Sequence, residues 1–117
     1  MNKSLDNLIR YIMKILDGFI ITIYDIQKNA ELENTNVQYV ELSPLLTKAD
    51  IISLHCPVTE STKHIINDQA IKEMKTGMML INTSRGALID TPAVIKGLKT
   101  KKIGYLGLDV YEEEAKL

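Results

Sequence analysis

Two short polar segments in the second half of the chain follow apolar, strand-like runs, and they carry the residues best suited to chemistry. Residues 82–90 include Arg85, and residues 107–114 include Asp109. A guanidinium can hold a carboxylate through two parallel hydrogen bonds, and ligands of open α/β sheets bind at the carboxyl ends of the strands. The sequence therefore predicts that Arg85 and Asp109 lie side by side and hold an anionic substrate next to a polar cofactor.

Each candidate residue also has an ordinary structural interpretation, which the sequence leaves open. An arginine after a strand is most often a solvated surface residue, and an aspartate there is often a turn residue. Asp25 follows an apolar run at residues 19–24, where a carboxylate can bind both hydroxyls of a ribose or simply cap a turn. Glu114 belongs to an acidic run that would usually be solvated, and Cys56 is compatible with a small buried residue.

These residues are expected to be positioned by short apolar strands that alternate with helices, a pattern typical of parallel crossover units. Asn67 and the Thr91-Pro92 pair provide clear helix starts. We predict one α/β domain over residues 1–117. The predicted strands are residues 19–24, 37–42, 51–54, 78–81 and 103–108, and the predicted helices are residues 5–16, a short helix opened by Ser43-Pro44, residues 68–75 and residues 91–99.

The composition of the chain disfavours several classes of protein. A chain of 117 residues suits one domain, and 14 basic against 15 acidic residues give a net charge of −1. This balance leaves no electrostatic footprint for nucleic acid or an anionic membrane, and no stretch approaches membrane-spanning length or resembles a signal peptide. One cysteine and two histidines offer no metal-ligand spacing and suit a reducing compartment. We therefore expect a cytoplasmic protein without a metal site.

The two polar segments, together with residues 49–57 (Ala-Asp-Ile-Ile-Ser-Leu-His-Cys-Pro), closely resemble motifs of the NAD-dependent D-2-hydroxyacid dehydrogenases, the D-lactate dehydrogenases in particular. The likeness runs from about Arg10 to Glu114, with the motifs in the order and spacing of that family. It implies a Rossmann-like parallel sheet with flanking helices, NAD as the cofactor, and a 2-hydroxy or 2-oxo acid as the substrate.

The resemblance also implies catalytic roles. Arg85 matches the arginine that binds the substrate carboxylate and polarises the carbonyl group. Glu114 matches the glutamate that pairs with a catalytic histidine and raises the pKa of its imidazole. That histidine lies downstream of the glutamate in the family, so neither His55 nor His64 matches it by position. We expect His55 to lie at a strand end near the cofactor and His64 in a loop.

The cofactor contacts implied by the resemblance come from three parts of the chain. Asp25 would bind the adenosine ribose and favour NAD over NADP. Cys56 and Pro57 match the apolar wall beside the adenine. Asp109 falls at the position near the nicotinamide carboxamide, and Thr83 is expected to bind the cofactor.

The printed sequence lacks the family's glycine-rich phosphate loop. The pattern G-x-G-x-x-G should lie about 20 residues before the acidic ribose ligand, but no glycine precedes Gly18. From the sequence we expect a fold without the first strand and this loop, poor phosphate binding, and negligible dehydrogenase activity of the isolated chain. Natural truncation and a misplaced gene start remain alternative explanations.

The missing strand would lie at the centre of a doubly wound sheet, between the strands at residues 19–24 and 51–54. We expect either that these two strands pair directly or that a second copy covers their edges in a homodimer. Two functions remain open at this point. One is a NAD-binding domain of a D-2-hydroxyacid dehydrogenase, and the other is a non-catalytic scaffold derived from it that binds itself or a partner.

Overall fold

The computed structural model describes residues 7–10, 20–25, 28–33 and 36–110. The chain divides into two compact units, Met1–Leu45 and Leu46–Leu117. Within the described residues, no helix has both the length and the apolar character needed to cross a membrane.

The first unit is built on a small parallel sheet. Strand β1 (Ile21–Ile23) pairs with β2 (Val37–Tyr39), and the 3-10 helix η1 (Ala30–Leu32) lies between them in sequence. Asn29 caps η1 because its Oδ1 accepts a hydrogen bond from Glu31 N at 3.1 Å. A short helical stretch at residues 7–10 contributes to the core of this unit. That core consists of Ile9, Ile23, Leu32 and Val37.

The second unit alternates strands and helices, and helix α1 (Leu42–Lys48) leads into it across the boundary between the units. After α1 the elements are β3 (Ile51–Leu54), α2 (Asp68–Glu73), β4 (Met78–Asn82), the 3-10 helix η2 (Gly86–Leu88), α3 (Thr91–Lys99) and β5 (Ile103–Leu108).

The three strands of this unit form a parallel sheet in the order β3-β4-β5. Leu54 lies opposite Asn82, and Asn82 lies opposite Leu108, so the three strands end at the same level. Residues of β4 alternate between buried and half-buried, with Leu80 fully buried at its centre. Among the described residues, the core of the second unit is formed mainly by Leu46, Ile52, Leu54, Ile66, Ile71, Met74, Met78, Leu80, Leu88, Ile89, Val94 and Ile103.

The helices of the second unit begin where the sequence predicts. Asn67 caps α2 because its Oδ1 accepts a hydrogen bond from Ala70 N at 2.9 Å, and a proline lies in the first turn of α3. Gly97 allows α3 to pack closely on β5. A Cβ atom at Gly97 would lie only 2.9 Å from Cδ1 of Ile103.

The predicted parallel α/β architecture is confirmed, and β3, α3 and β5 have the predicted bounds. Helix α1 begins at Leu42, one residue before the predicted Ser43, and three elements after β1 end at residues other than those predicted. Helix α2 ends at Glu73 rather than at residue 75, because Met74 is buried in extended backbone. Strand β2 ends at Tyr39 rather than at residue 42, because Leu42 already begins α1. Strand β4 runs one residue further than predicted, to Asn82.

Fewer residues of the first unit are described, so the predictions for it can be compared with the structure only in part. Strand β1 confirms the apolar run in part, and Phe19 lies outside the described residues. Of the predicted helix at residues 5–16, only residues 7–10 are described, and they are helical.

The expectation that the strands at residues 19–24 and 51–54 pair directly is wrong. Hydrogen bonds join β1 to β2 in one sheet and β3 to β4 and β5 in another. Each of the two strands therefore satisfies one side of its backbone with the strand that follows it along the chain.

Candidate functional site

The carboxyl edge of the β3-β4-β5 sheet is organised around Asn82, the last residue of β4. Alternation along β4 points its side chain inward, and it is the one buried polar side chain in the described part of the chain. Its Oδ1 accepts a hydrogen bond from Ser84 N at 3.1 Å, and its Nδ2 donates one to Arg85 O at 2.8 Å. The amide thus satisfies both of its ends on the loop that carries Arg85.

A second hydrogen bond joins this loop to the neighbouring strand β3. Ser84 Oγ donates to Cys56 O at 2.9 Å, and Cys56 lies two residues beyond the end of β3. The loops that follow β3 and β4 are therefore linked directly.

A third hydrogen bond brings the end of β5 to the same place. Asp109 N donates to Asn82 O at 3.2 Å, which continues the parallel pairing of β4 and β5 by one residue. The side chains of Arg85 and Asp109 are both exposed at this edge. The predicted placement of Arg85 and Asp109 on neighbouring parallel strands is confirmed.

The backbone of Arg85 is fixed from both directions along the chain. Its carbonyl oxygen accepts a hydrogen bond from Leu88 N, in η2, at 3.2 Å. The same oxygen also accepts one from the side-chain amide of Asn82. The guanidinium itself donates from Nη1 to Ser84 O at 3.1 Å. The side chain of Arg85 therefore extends from a loop whose backbone is held by hydrogen bonds, and its charged group is exposed to solvent.

The remaining predicted cofactor residues of the second unit also lie at strand ends. Cys56 is half-buried and Pro57 is exposed, and the carbonyl of Pro57 accepts from Thr62 Oγ1 at 2.6 Å. Thr83 is exposed in the loop between Asn82 and Arg85. The hydrogen bond from Ser84 to Cys56 thus draws together the segments that contain these residues.

Two predicted residues stand apart from this edge. Asp25 belongs to the first unit, where it is half-buried two residues beyond the end of β1. Glu114 lies outside the described residues. The roles predicted for these two residues remain predictions.

The two histidines occupy the positions expected from the sequence. His55 directly follows β3, and its Nε2 lies 2.7 Å from Ser53 Oγ. Burial lowers the pKa of His55 from its ordinary value of 6.5, which favours the neutral imidazole. His64 lies in the loop before α2 with a φ of 53°. Among the described residues, no group of His, Cys, Asp and Glu side chains could hold a metal ion.

Asn82 and Ser84 are the residues that reasoning from the sequence missed. A recognisable pattern was present, because an asparagine at the inward position that follows Met78 and Leu80 interrupts an apolar face. A buried amide requires hydrogen-bond partners, so its position already indicates that it holds nearby backbone.

Comparison with known proteins identifies the family of the chain. The family model for the D-isomer specific 2-hydroxyacid dehydrogenase NAD binding domain matches residues 10–117. A 2-hydroxyacid dehydrogenase homolog of Haemophilus influenzae is 51% identical over 108 residues, which cover 91% of this chain and 33% of that protein. The D-lactate dehydrogenase of Escherichia coli is 47% identical over 107 residues, which cover 90% of this chain and 32% of that protein.

A solved structure shows the same similarity. The D-lactate dehydrogenase of Aquifex aeolicus, crystallised with NAD and lactic acid, superposes with a TM-score of 0.86 at 38% identity. The match covers 93% of this chain and 32% of that one, so the chain spans about a third of the length of its relatives. The matched family and the parallel sheet with its polar carboxyl edge lead to one conclusion. The chain belongs to the NAD-binding domain family of the D-isomer-specific 2-hydroxyacid dehydrogenases.

Proposed function

We propose that this chain forms the nicotinamide and substrate side of an NAD-dependent D-2-hydroxyacid dehydrogenase site. In this proposal Arg85 binds the carboxylate of a 2-hydroxy or 2-oxo acid, and Asp109 binds the carboxamide of the nicotinamide. The observation that carries the proposal is the pairing of strand ends through Asn82 O and Asp109 N, at 3.2 Å. This pairing presents an exposed cation and an exposed carboxylate at one edge of a parallel sheet.

The polar groups at this edge fit the proposed cofactor. A carboxamide has an NH2 donor and a carbonyl acceptor. Asp109 supplies an exposed carboxylate that can accept from the NH2 group, and Thr83 supplies an exposed hydroxyl that can donate to the carbonyl. The two residues follow neighbouring strands, so one planar group can bind both of them.

Arg85 supplies both binding energy and orientation for the substrate. Its guanidinium can hold a carboxylate bidentately, and its positive charge stabilises the negative charge that develops on the adjacent carbonyl oxygen during reduction. When bound, NADH supplies the hydride that converts C2 of a 2-oxo acid to the alcohol. We propose that Glu114 would orient a histidine from outside the 117 printed residues, which would deliver the proton to that oxygen.

The adenosine half of the cofactor is assigned to other residues. We propose that Asp25 binds the ribose hydroxyls and that Cys56 and Pro57 form part of the wall beside the adenine. Because no glycine-rich loop occurs in the printed residues, we expect the 117-residue polypeptide to bind NAD weakly.

The proposal is tested by titrating the protein with NADH, followed by its fluorescence, and then with pyruvate as a 2-oxo acid. Asp109→Asn should weaken NADH binding and Arg85→Gln should weaken pyruvate binding, each by about 10- to 100-fold, since each loses a charged hydrogen bond. The matched controls are Asp68→Asn and Lys99→Gln, which remove the same charges from exposed positions on α2 and α3. Both controls should bind like the wild type.

Absence of NADH and pyruvate binding by the wild type would contradict the proposal and favour the non-catalytic scaffold. Equal losses in the control variants would instead indicate a non-specific charge effect.

We also propose that the protein forms a homodimer. Ile95 and Leu98 are exposed on α3, and Tyr105 on β5 is 67% exposed, so the second unit presents apolar surface that a second copy could cover. Sedimentation at increasing protein concentration should show the mass rising toward that of two copies. A constant monomer mass at high concentration would contradict this proposal.

A cytoplasmic location is proposed from the chemistry of the chain. Its single cysteine cannot form an internal disulfide, and such a chain suits a reducing compartment. Fractionation of cells that express the protein should recover it with cytoplasmic markers, and recovery with a secreted or membrane fraction would contradict the proposal.

A further inference from the structure

We infer that Asn82 and Ser84 are positioning residues for Arg85. The side chains of both residues hold the loop from which the guanidinium leaves the sheet. The inference rests on the proposed function of Arg85 as the group that binds the substrate carboxylate.

The burial of Asn82 is the first step of the argument. Its side chain is 0% exposed, at an inward position where an apolar residue would continue the core face of β4. Burying an amide costs free energy unless its polar atoms are hydrogen-bonded. Both ends of the amide are hydrogen-bonded to the backbone of residues 84 and 85. The buried amide therefore fixes the position of this loop.

The second step is the orientation of the peptide group that follows Arg85. Arg85 O accepts from Asn82 Nδ2 at 2.8 Å and from Leu88 N at 3.2 Å. A rotation of this peptide plane would break both hydrogen bonds. Loss of the Asn82 amide would leave the carbonyl held from the C-terminal side alone, and the guanidinium would sample more directions.

The third step is the link to the neighbouring strand. The hydrogen bond from Ser84 Oγ to Cys56 O, at 2.9 Å, fixes the loop against the segment that follows β3. The backbone carbonyl of Asn82 accepts from Asp109 N on the other side. The residues around Asn82 thus connect the ends of all three strands, and Arg85 directly follows Ser84.

The test is a double-mutant cycle on pyruvate affinity, measured with NADH present. Asn82→Ala should weaken pyruvate binding about tenfold and Ser84→Ala about threefold, because each loosens the loop without removing the guanidinium. In an Arg85→Ala background neither substitution should cause further loss, since the group that they position is absent. A purely structural role would give additive losses, and additivity would overturn the inference.

Asn67→Ala is the matched control for Asn82→Ala. It also removes an asparagine whose Oδ1 accepts a backbone hydrogen bond, at 2.9 Å, but at the start of α2. It should lower the stability of the protein and leave pyruvate affinity unchanged. A loss of affinity in this control as large as in Asn82→Ala would overturn the inference, because lowered stability alone would then account for both effects.

Amide hydrogen exchange gives a readout that does not depend on binding. The amide of Ser84 donates to Asn82 Oδ1, so its exchange should accelerate about tenfold or more in Asn82→Ala and stay unchanged in Asn67→Ala. Unchanged exchange of Ser84 in Asn82→Ala would overturn the inference. If Asn82→Ala does not fold, the Ser84→Ala cycle decides the outcome by the same criterion of additivity.

The outcomes separate the inference from the proposed function. If the wild type does not bind pyruvate in the presence of NADH, the proposed function fails and the inference fails with it. If the wild type binds pyruvate, Arg85→Ala weakens binding, and Asn82→Ala and Ser84→Ala have no effect, the proposed function stands and the inference alone is overturned.

Discussion

The two units of the chain both contain parallel strands, yet they differ in how the strand ends are held. In the second unit, side-chain and backbone hydrogen bonds around Asn82 join the ends of three strands over a large apolar core. In the first unit, two three-residue strands pair, and the described core residues are Ile9, Ile23, Leu32 and Val37. Arg85 and Asp109 follow strands of the second unit, where these hydrogen bonds give the support that precise placement of charged groups needs.

The largest expected difference between the units is in the cost of opening a cavity. Leu80 and Leu32 are both fully buried, one in each core. Leu80→Ala should lower the free energy of unfolding by about 4 kcal/mol and Leu32→Ala by about 2 kcal/mol, because Leu80 lies in the central strand of a three-stranded sheet whereas Leu32 lies in a three-residue 3-10 helix that can move into the space left by the lost side chain. Denaturant unfolding of both variants measures these losses. Equal losses would contradict the difference in packing between the two cores.

The next largest expected effect is on stability within the second unit, and it comes from the close packing of β5. A Cβ atom at Gly104 would lie 2.7 Å from the backbone oxygen of Gly77, whereas at Gly107 the nearest atom would be 3.7 Å away. Gly104→Ala should therefore cost about 1–3 kcal/mol, and Gly107→Ala less than about 0.5 kcal/mol. Thermal unfolding of the pair checks this, and a Gly107→Ala variant that is the less stable of the two would be inconsistent with the described packing.

Helix capping extends the comparison between the units at a smaller scale. Asn67 caps the six-residue helix α2, and Asn29 caps the three-residue 3-10 helix η1. Asn67→Ala should cost about 1 kcal/mol and Asn29→Ala about half of that, because more hydrogen bonds depend on the start of α2. Unfolding free energies of both variants supply the test. A larger loss for Asn29→Ala would contradict this ranking of the two caps.

The smallest expected effect is a dependence of stability on pH that arises from His55 in the second unit. Burial lowers the pKa of His55 below 6.5, so the unfolded chain binds this proton more tightly than the folded protein does. Its contribution to stability is full above pH 6.5 and declines as pH falls from 6.5 toward the pKa of the folded state. Unfolding measured across this range should show a shallower decline for His55→Gln than for the wild type. His64→Gln is the control. Because this variant keeps His55, it should keep the part of the decline in stability with falling pH that His55 causes.

The sequence predicted those parts of the fold that depend on local signals. Pro92 marks the start of α3, Asn67 marks the start of α2, and the glycine-containing apolar run of β5 ends at the predicted residue. The location of Arg85 and Asp109 after neighbouring parallel strands was also predictable, because parallel strands that pair in register bring their carboxyl ends together.

Features that depend on tertiary packing could not be predicted in this way. Helix α2 ends early because Met74 is buried in extended backbone. The spacing of apolar residues along the helix does not predict this end. The hydrogen bond from Ser84 to Cys56 spans 28 residues and exists only because β3 and β4 pair in one particular register. Among the described strands, β1 pairs with β2 in a separate two-stranded sheet, and the composition of the strands did not predict this arrangement.

The central claim is that the carboxyl edge of β3-β4-β5 binds the nicotinamide and a 2-oxo acid together. Proton–nitrogen NMR spectra of the protein, recorded during titration with NADH and then with pyruvate, test it most directly. NADH should shift the amide signals of Thr83 and Asp109, and pyruvate should then shift the side-chain Nε–H signal of Arg85. Shifts confined to other surfaces, or a response to pyruvate that persists in Arg85→Gln, would contradict the claim.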